Sequence, residues 1–439
     1  MSRDRSNLGA CNGPASSPGQ AGTVPGAEYV TVPGQARDKG TNMEFPSSGP
    51  KPLTVQAFDT TRHLAHAARQ ARERGFDQFT VVDADTHHDE NDSFRHMVGY
   101  IDSTVERQLT RSGTNQGRRP MVPRIISYED NGGRLQRFAA RKLEATPANV
   151  HRDITLTRRS MAAMGASFAV LYPTTSMRLS IQPKRDWEFM LTEAYNRWVA
   201  NDLLPQEPQL RGMLYLPFHH AAECLKMVEE LGAKAGVAGC VIASPRYERI
   251  YSKGMIRILS AMEERGLVLA FHGMANWEEG CYVPLNRWGA VQALGVPHSN
   301  MVHLTNWLMH GMPERFPKLK VLWLESGVAW AHYLMQRLDN MYMARPADAP
   351  LLKEKPSHYM RRMFYCSQPL ERPENIAALE VAFDSISAAT QLVWGSNFPT
   401  HDFDLPATIW DLPFLSLDAK KAILGGNAMR LFSIKPEGA

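Results

Sequence analysis

The chain has 439 residues, enough for two or three average domains or for one large barrel with extensions. Hydrophobic residues make up 44% of the sequence and charged residues 21%, which is ordinary for a soluble globular protein with a large core. The formal net charge is only +4 and no dense stripe of Lys and Arg is present, so binding to nucleic acid or to a membrane surface is not expected.

The five cysteines are widely spaced and form no Cys-x-x-Cys pair. This argues against a cysteine zinc site and a disulfide framework, and it predicts a reducing, cytoplasmic location. Leu8-Gly-Ala-Cys11 resembles a lipoprotein cleavage site, but the polar residues before it provide no apolar segment. No apolar run reaches the length of about 18 residues that a membrane-spanning helix requires.

Residues 1–52 are rich in Gly, Pro, Ser and Ala and show little periodicity, which predicts a flexible N-terminal arm. Residues 53–439 are predicted to form the folded domain. Its first element is a helix over residues 54–74, with Gly75 as the stop signal.

The most informative stretch follows, where an apolar run ends in a cluster of acidic residues and histidines. Val81 and Val82 predict a short buried strand that ends near Ala84. Strand periodicity would project Asp83, Asp85 and His87 to one side, where a carboxylate and an imidazole can bind one divalent cation. The alternative is a polar turn with an incidental histidine.

Residues 91–153 are interrupted by glycines and prolines, and excursions of this length inside a domain are usually functional. We interpret them as an insertion that caps the site.

A regular alternation of strands and helices then begins. Short apolar strands are predicted over residues 166–172, 210–218, 237–244, 267–272, 319–325, 364–367 and 392–396. Helices are predicted over residues 187–203, 219–231, 253–265, 299–311, 328–345, 373–386 and 417–432. With the Val81 strand this pattern indicates eight parallel βα units and therefore an α/β fold, a (β/α)₈ TIM-type barrel. An open, doubly wound sheet is the alternative, because periodicity does not show closure.

Catalytic groups of such barrels come from the C-terminal ends of the strands. The predicted strand ends carry polar residues that could meet at one rim: Asp85, His87, His219, His220, Arg246, His272, Glu325, Gln368, Asn397, His401 and Asp402.

Several motifs, taken together and in order, resemble the amidohydrolase superfamily. They are Asp83-Ala-Asp-Thr-His-His-Asp-Glu90, Phe271-His272, Glu314-Arg-Phe-Pro-Lys-Leu-Lys-Val-Leu-Trp-Leu-Glu-Ser-Gly327 with Trp330 and Arg337-Leu-Asp339, Trp394-Gly-Ser-Asn-Phe-Pro399, and Ile423-Leu-Gly-Gly-Asn-Ala428. The most similar branch is the amidohydrolase-related group that includes aminocarboxymuconate semialdehyde decarboxylase and the aromatic-acid decarboxylases.

The resemblance implies one divalent metal, bound by Asp85, His87 and His272, with Asn397 at the position of the family's aspartate. Mixed oxygen and nitrogen ligands favour zinc, with manganese or cobalt as alternatives. Hydrolases of the superfamily usually have a histidine at the position of Asp85, whereas some decarboxylases have a carboxylate there. Asn397 can offer a carbonyl oxygen to a metal, but an amide cannot take a proton from water.

Glu325 stands where the decarboxylases typically have a histidine. It is predicted to be the general base or a further ligand, and the alternative is a contact that caps the following helix. His401, with Asp402 and Asp404, is a candidate to replace the missing aspartate.

Three functions are compatible with these residues. The first is a hydrolase of an amide, urea or related C–N bond in a small molecule, in which metal-bound water loses its proton to Glu325 or His401. The second is a non-oxidative decarboxylase of an aromatic or unsaturated acid, with Arg246, His219 or His220 as the anchor for the acid. The third is a barrel that binds metal or ligand without turnover. The sequence favours hydrolysis.

Substrate contacts are predicted for Arg246, Trp277 and Gln368. Trp277, Tyr282 and Trp288 could cover a planar substrate, or could pack under a surface loop. The helix over residues 299–311 carries Met301, Leu304, Trp307 and Leu308, which we expect in the core or in a contact between subunits of a homo-oligomer.

Overall fold

The fold is an eight-stranded parallel sheet whose strands follow one another in sequence order. The computed structural model describes residues 60–88, 90–115, 150–276, 278–400 and 403–435, so the predicted arm over residues 1–52 lies outside the described residues. The strands are β1 (Val82–His87), β2 (Phe168–Tyr172), β3 (Leu210–Tyr215), β4 (Val237–Ala243), β5 (Val268–His272), β6 (Val321–Leu324), β7 (Phe364–Cys366) and β8 (Leu392–Val393).

The sheet closes into a barrel through hydrogen bonds between β1 and the segment that begins with β8. The backbone N–H of Ala84 donates to Trp394 O at 3.0 Å, and the N–H of Asn397 donates to Asp85 O at 2.7 Å. The N–H of His87 then donates to Phe398 O at 2.7 Å. The predicted (β/α)₈ barrel is therefore confirmed, and the open doubly wound sheet is wrong.

Helices surround the barrel in the order that βα units require. They are α1 (Thr60–Arg74), α2 (Glu90–Val98), α3 (Thr104–Asn115), α4 (Arg152–Met164), α5 (Arg185–Trp198), α6 (Ala221–Leu231), α7 (Lys253–Glu264), α8 (Trp288–Met309), α9 (Met312–Arg315), α10 (Ala329–Ala344), α11 (Pro356–Met360), α12 (Ile376–Ser385), α13 (Ala388–Gln391), α14 (Ala407–Trp410), α15 (Leu417–Lys421) and α16 (Asn427–Phe432). None of these described helices is both long and apolar enough to cross a membrane.

Three helices near the long insertion were not predicted. The insertion after β1 contains α2 and α3, and α4 leads from it into β2. Helix α8 also begins at Trp288, eleven residues before the predicted start, and continues through Pro297. Leu304, Trp307 and Leu308 of α8 are buried, so the prediction that they belong to the core is confirmed.

Strand β1 continues past Ala84, its predicted end, to His87. Residues with high β propensity end at Val82, but residues up to His87 remain in the strand because they pair with β2 and with the segment after β8. The register with β2 is irregular between Asp83 and Thr86. Asp85 and His87 therefore lie on a strand and not in a polar turn, as the metal-site hypothesis requires.

Asp83 links β1 to the segment that follows β8. Its carboxylate accepts hydrogen bonds from the backbone N–H of Ser396 at 2.8 Å and from the Ser396 hydroxyl at 2.5 Å. Burial raises the pKa of Asp83 to about 7, although the Ser396 donors oppose this shift. Just before β1, a Cβ at Gly425 would lie 1.9 Å from Thr80 O, so this close approach requires glycine.

Candidate metal centre

Asp85 and His87 of β1 and His272 of β5 converge at the C-terminal ends of their strands. One ligand atom from each side chain lies within 4.8 Å of the other two, and all three residues are buried. Two alternate residues of one strand point to the same face, and the barrel brings the end of β5 opposite them. The structure therefore brings the predicted ligands Asp85, His87 and His272 together.

The distances between these atoms suit a single small cation. Nε2 of His87 lies 3.1 Å from Nε2 of His272, and Oδ1 of Asp85 lies 3.3 Å from His87 Nε2 and 3.8 Å from His272 Nε2. Ligands about 2.1 Å from a common metal are roughly 3.0–3.4 Å apart in octahedral or tetrahedral arrangements. Two of the three distances fall in this range, and the distance from Asp85 Oδ1 to His272 Nε2 exceeds it by 0.4 Å, so a small movement of these side chains would place all three atoms around one ion.

The tautomers of both histidines support the same interpretation. Nδ1 of His87 lies 3.1 Å from Pro173 O, and Nδ1 of His272 lies 3.1 Å from Gly273 O. A carbonyl oxygen only accepts, so both protons belong on Nδ1 and both Nε2 atoms present lone pairs. Two lone pairs and a carboxylate oxygen that face one another in a buried site repel unless a cation lies between them. The side chains present therefore fit a divalent metal.

Glu325, which follows β6, stands beside His272. Its Oε2 lies 3.2 Å from His272 Nδ1, an arrangement in which a carboxylate orients a histidine that binds metal. The structure places it behind a ligand, not within the cluster of three.

Asn397, which follows β8, contacts Glu325. Its Nδ2 donates to Glu325 Oε1 over a long 3.4 Å, and its Oδ1 is buried without a hydrogen-bond partner among the described residues. Glu325 and Asn397 both have positive φ, 53° and 56°. This conformation is unusual for residues with side chains and concentrates at functional sites. The two residues that depart from the family pattern thus form one strained pair.

Tyr172, Cys366 and Gly395 also lie beside the ligands, and none of them was among the predicted site residues. Cys366 Sγ lies 4.0 Å from Asp85 Oδ2, and a Cβ at Gly395 would lie 2.5 Å from both Asp85 Cβ and Cys366 Sγ. The ring of Tyr172 lies 6.1 Å from that of His87 and 5.9 Å from that of His272. Tyr172 ends β2 and Cys366 ends β7, so inspection of every strand end would have found both.

Arg246, predicted to contact substrate, lies beyond β4 in a buried polar cluster. Its Nη2 donates to Glu188 Oε2 at 2.8 Å and to Gln182 O at 2.9 Å, and the Tyr215 hydroxyl donates to Glu188 Oε1 at 3.1 Å. The Nε of Arg246 is buried and has no hydrogen-bond partner among the described residues. Burial raises the pKa of Glu188 from 4.5 to about 7, although the charge of Arg246 opposes the shift.

This shift predicts a pH-dependent effect of Glu188→Gln on stability. Because the folded-state pKa of Glu188 lies above its unfolded value, ionisation of Glu188 costs stability as pH rises from 4.5 to about 7. Glutamine does not titrate. We expect the free energy of unfolding of the variant, relative to the parent, to increase by about 2–3 kcal/mol between pH 5 and pH 8. Urea unfolding at both pH values measures this difference.

The control is Thr192→Val on the same helix, a buried change that removes no carboxylate and should therefore give the same difference from the parent at both pH values. A difference between the Glu188→Gln variant and the parent that stays constant with pH would contradict the prediction.

The remaining predicted site residues are placed as follows. Gln368 is fully buried after β7, and Tyr282 is buried with its hydroxyl 2.6 Å from Nδ1 of His298. His219 and His220 contact acidic side chains, at 3.5 Å from Glu248 and 3.0 Å from Asp186 respectively. Trp288 begins α8, whereas Trp277, His401 and Asp402 lie outside the described residues.

The fold and these side chains define a (β/α)₈ barrel with a candidate site for one metal ion at its strand ends. The chain belongs to the amidohydrolase family, because it matches the sequence model described as Amidohydrolase over residues 156–434, more than half of its length. The predicted superfamily is therefore confirmed. The matched span includes His272, Glu325 and Asn397 and begins after β1. No curated protein matches the chain in sequence.

Several solved structures share the fold. The 5-carboxyvanillate decarboxylase of Sphingomonas paucimobilis is 21% identical, with a TM-score of 0.57 over 81% of this chain and 100% of that one. A dihydroxybenzoic acid decarboxylase of Polaromonas sp. JS666, with bound manganese and 2-nitroresorcinol, is 14% identical, with a TM-score of 0.57 over 82% and 98%.

A third structure is the 5-carboxyvanillate decarboxylase of Novosphingobium aromaticivorans, as a variant with one aspartate replaced by asparagine. It contains manganese and 3-methoxy-4-hydroxy-5-nitrobenzoic acid, and is 15% identical, with a TM-score of 0.60 over 82% of this chain and 99% of that one. At these identities the likeness establishes the fold.

Proposed function

We propose that this chain is a metal-dependent, non-oxidative decarboxylase of an aromatic acid. The observation that carries the proposal is Asp85, a buried carboxylate among the three ligands, where the family resemblance implies a histidine in hydrolases and a carboxylate in some decarboxylases. Asn397 does not separate the two reactions, because an amide neither takes a proton from water nor delivers one to a ring carbon. Decarboxylation needs no activated water. The aromatic-acid decarboxylases among the solved relatives support the same choice.

Asp85, His87 and His272 would hold the metal. When bound, a divalent ion supplies positive charge that attracts and fixes the carboxylate of an acid. Zinc was the expected ion, but two of the relatives described above contain manganese, so manganese is the first ion to test. Asn397 is proposed to hold Glu325 by donating from Nδ2, and its Oδ1 is proposed as a further oxygen toward the metal.

Glu325 is the proposed proton carrier. In the reaction the ring carbon that bears the carboxylate takes a proton, the C–C bond breaks, its electron pair restores the aromatic ring, and CO₂ leaves. One proton is consumed and no oxidant or reductant is required. Glu325 would deliver the proton and be protonated again from solvent. His401 remains a second candidate for this role.

Arg246, Trp277 and Gln368 remain the proposed substrate contacts. The buried Nε of Arg246 is the donor that its pairing with Glu188 leaves available for a substrate oxygen. The substrate is a small molecule in this proposal.

The test is a reaction in D₂O. The metal-free protein is loaded with manganese, zinc or cobalt and incubated with hydroxybenzoates and methoxylated hydroxybenzoates, and CO₂ release is measured. We expect one deuterium in the product, on the ring carbon that carried the carboxylate, and no product from metal-free protein. Release of ammonia or amine from amides or ureas, without CO₂ from any acid, would overturn the proposal.

Hydrolysis of a C–N bond is the second candidate, because Glu325 offers a carboxylate that could accept a proton from water in place of the missing aspartate. The same incubations, with amides and ureas in the panel, separate the two functions.

A further inference from the structure

Both carboxylate oxygens of Glu90, the first residue of α2, accept hydrogen bonds from backbone N–H groups. Glu90 is 1% exposed, and its carboxylate accepts from three consecutive N–H groups of the loop after β2. Thr174 N lies 3.1 and 3.2 Å from the two carboxylate oxygens, Thr175 N lies 2.8 Å from Oε2, and Ser176 N lies 3.0 Å from Oε1. Consecutive N–H groups that converge in this way form a binding site for an anion.

These N–H groups belong to residues 174–176, directly after the proline whose carbonyl faces His87. They lead into the 3₁₀ helix Ser176–Ile181, which has no side-chain cap from Thr175, and the first N–H groups of a helix need outside acceptors. Strand pairing between β1 and β2 ends at His87 and Tyr172. Residues 173–175 therefore lie beyond the β ladder, and Glu90 ties them to the segment that carries His87.

The same loop sets the proton position of a metal ligand. Pro173 O lies 3.1 Å from His87 Nδ1, and Thr174 Oγ1 lies 3.2 Å from that nitrogen. The Pro173 carbonyl keeps the proton on Nδ1, so that Nε2 faces Asp85 and His272 as a lone pair. Loss of this contact would let the ring rotate or take the other tautomer, in which Nε2 carries a proton and cannot bind metal.

We propose that Glu90 is a positioning residue of the metal site, which fixes the loop over residues 173–175 and thereby the tautomer and orientation of His87. The inference rests on the proposed metal site but not on the reaction that the site performs. Glu90 lies outside the ligand cluster and acts only through the loop.

The test is the metal affinity of Glu90→Gln, measured by titration of metal-free protein with Mn²⁺ and by the visible absorption of bound Co²⁺. Glutamine keeps the size of the side chain but turns an amide N–H₂ toward the loop N–H groups. We expect affinity to fall about 10–100-fold, as for other residues that orient metal ligands, with an altered Co²⁺ spectrum.

Ser93→Ala is the matched control. Ser93 also lies on α2, and its hydroxyl donates to Asp153 Oδ2 of α4 at 2.9 Å, so the variant weakens the attachment of the same helix without touching the loop. We expect its metal affinity to stay within about threefold of the parent, below the tenfold that marks an orienting residue. An equal loss of metal affinity in both variants would mean that Glu90 acts only by attaching α2, and this result would overturn the proposal.

Thr175→Pro provides a second test if Glu90→Gln does not fold. Thr175 has φ −69°, which suits proline, and the change deletes the N–H that donates to Glu90 Oε2. Its metal affinity should fall in the same direction by a smaller factor. Parent-like affinity in the variants would overturn this inference and leave the proposed function intact, whereas a parent that binds no metal would overturn both.

Discussion

Replacing His272 by alanine is expected to abolish metal binding and, with it, activity. The variant removes one of three converging ligand atoms and leaves Asp85 Oδ1 and His87 Nε2 as an incomplete pair. We expect the parent to bind about one metal per chain and the variant to lose at least about 100-fold in affinity, more than the loss of an orienting partner causes. Elemental analysis after dialysis, together with the decarboxylation assay, measures both effects.

His303→Ala is the matched control for this prediction. His303 is also fully buried, but its Nε2 lies 3.0 Å from Ser244 O and its ring stacks on Phe218 and Tyr247. Burial lowers its pKa to about 4, so it is a neutral core residue. Its loss should reduce stability while metal content stays at the parent level. Full metal occupancy in the His272→Ala variant would contradict the site.

Glu325→Gln is expected to lower the rate of decarboxylation by about 100- to 10,000-fold at saturating metal, the range for removal of a general acid or base. The amide oxygen can still accept from His272 Nδ1, which lies 3.2 Å from the present carboxylate, so His272 should keep its orientation. Metal affinity should therefore fall far less than turnover. Turnover number and metal affinity, measured on the same preparation, separate proton transfer from ligand orientation.

A double variant sharpens this test. Glu325→Gln combined with Asn397→Asp exchanges amide and carboxylate across the 3.4 Å contact and keeps one carboxylate beside the ligands. We expect it to recover part of the lost rate if a carboxylate carries the proton. Parent-like turnover in the Glu325→Gln variant at saturating metal would show that another group, such as His401, moves the proton.

Much of the architecture follows from local signals in the sequence. Apolar segments of four to nine residues alternate with helical periodicity, and each predicted strand from β2 to β8 overlaps an observed one. His272 ends β5 as predicted. A parallel strand that is buried on both faces consists almost entirely of apolar residues, so its first polar residue marks the end of the strand. The residues of the candidate ligand set were therefore identifiable from the strand ends and the resemblance.

Contacts between distant segments decided the rest. The end of β1 and the closure of the barrel depend on hydrogen bonds from Ala84, Asn397 and His87 that span more than 300 residues, which local propensity does not encode. The insertion was predicted as an irregular cap, yet it contains α2, whose first residue binds the loop after β2.

The sequence by itself determined the order of βα units and the identity of the polar groups at their ends, because hydrophobic periodicity and residue chemistry are local properties. Only the tertiary structure decided how those groups pair. In the folded chain Glu325 contacts Nδ1 of His272, and Arg246 donates a hydrogen bond to Glu188. The carbonyl of Pro173 accepts from Nδ1 of His87 and so sets its tautomer. Such roles depend on distances of about 3 Å between residues far apart in the chain, and hydrogen bonds and metal ligation exist only at those distances.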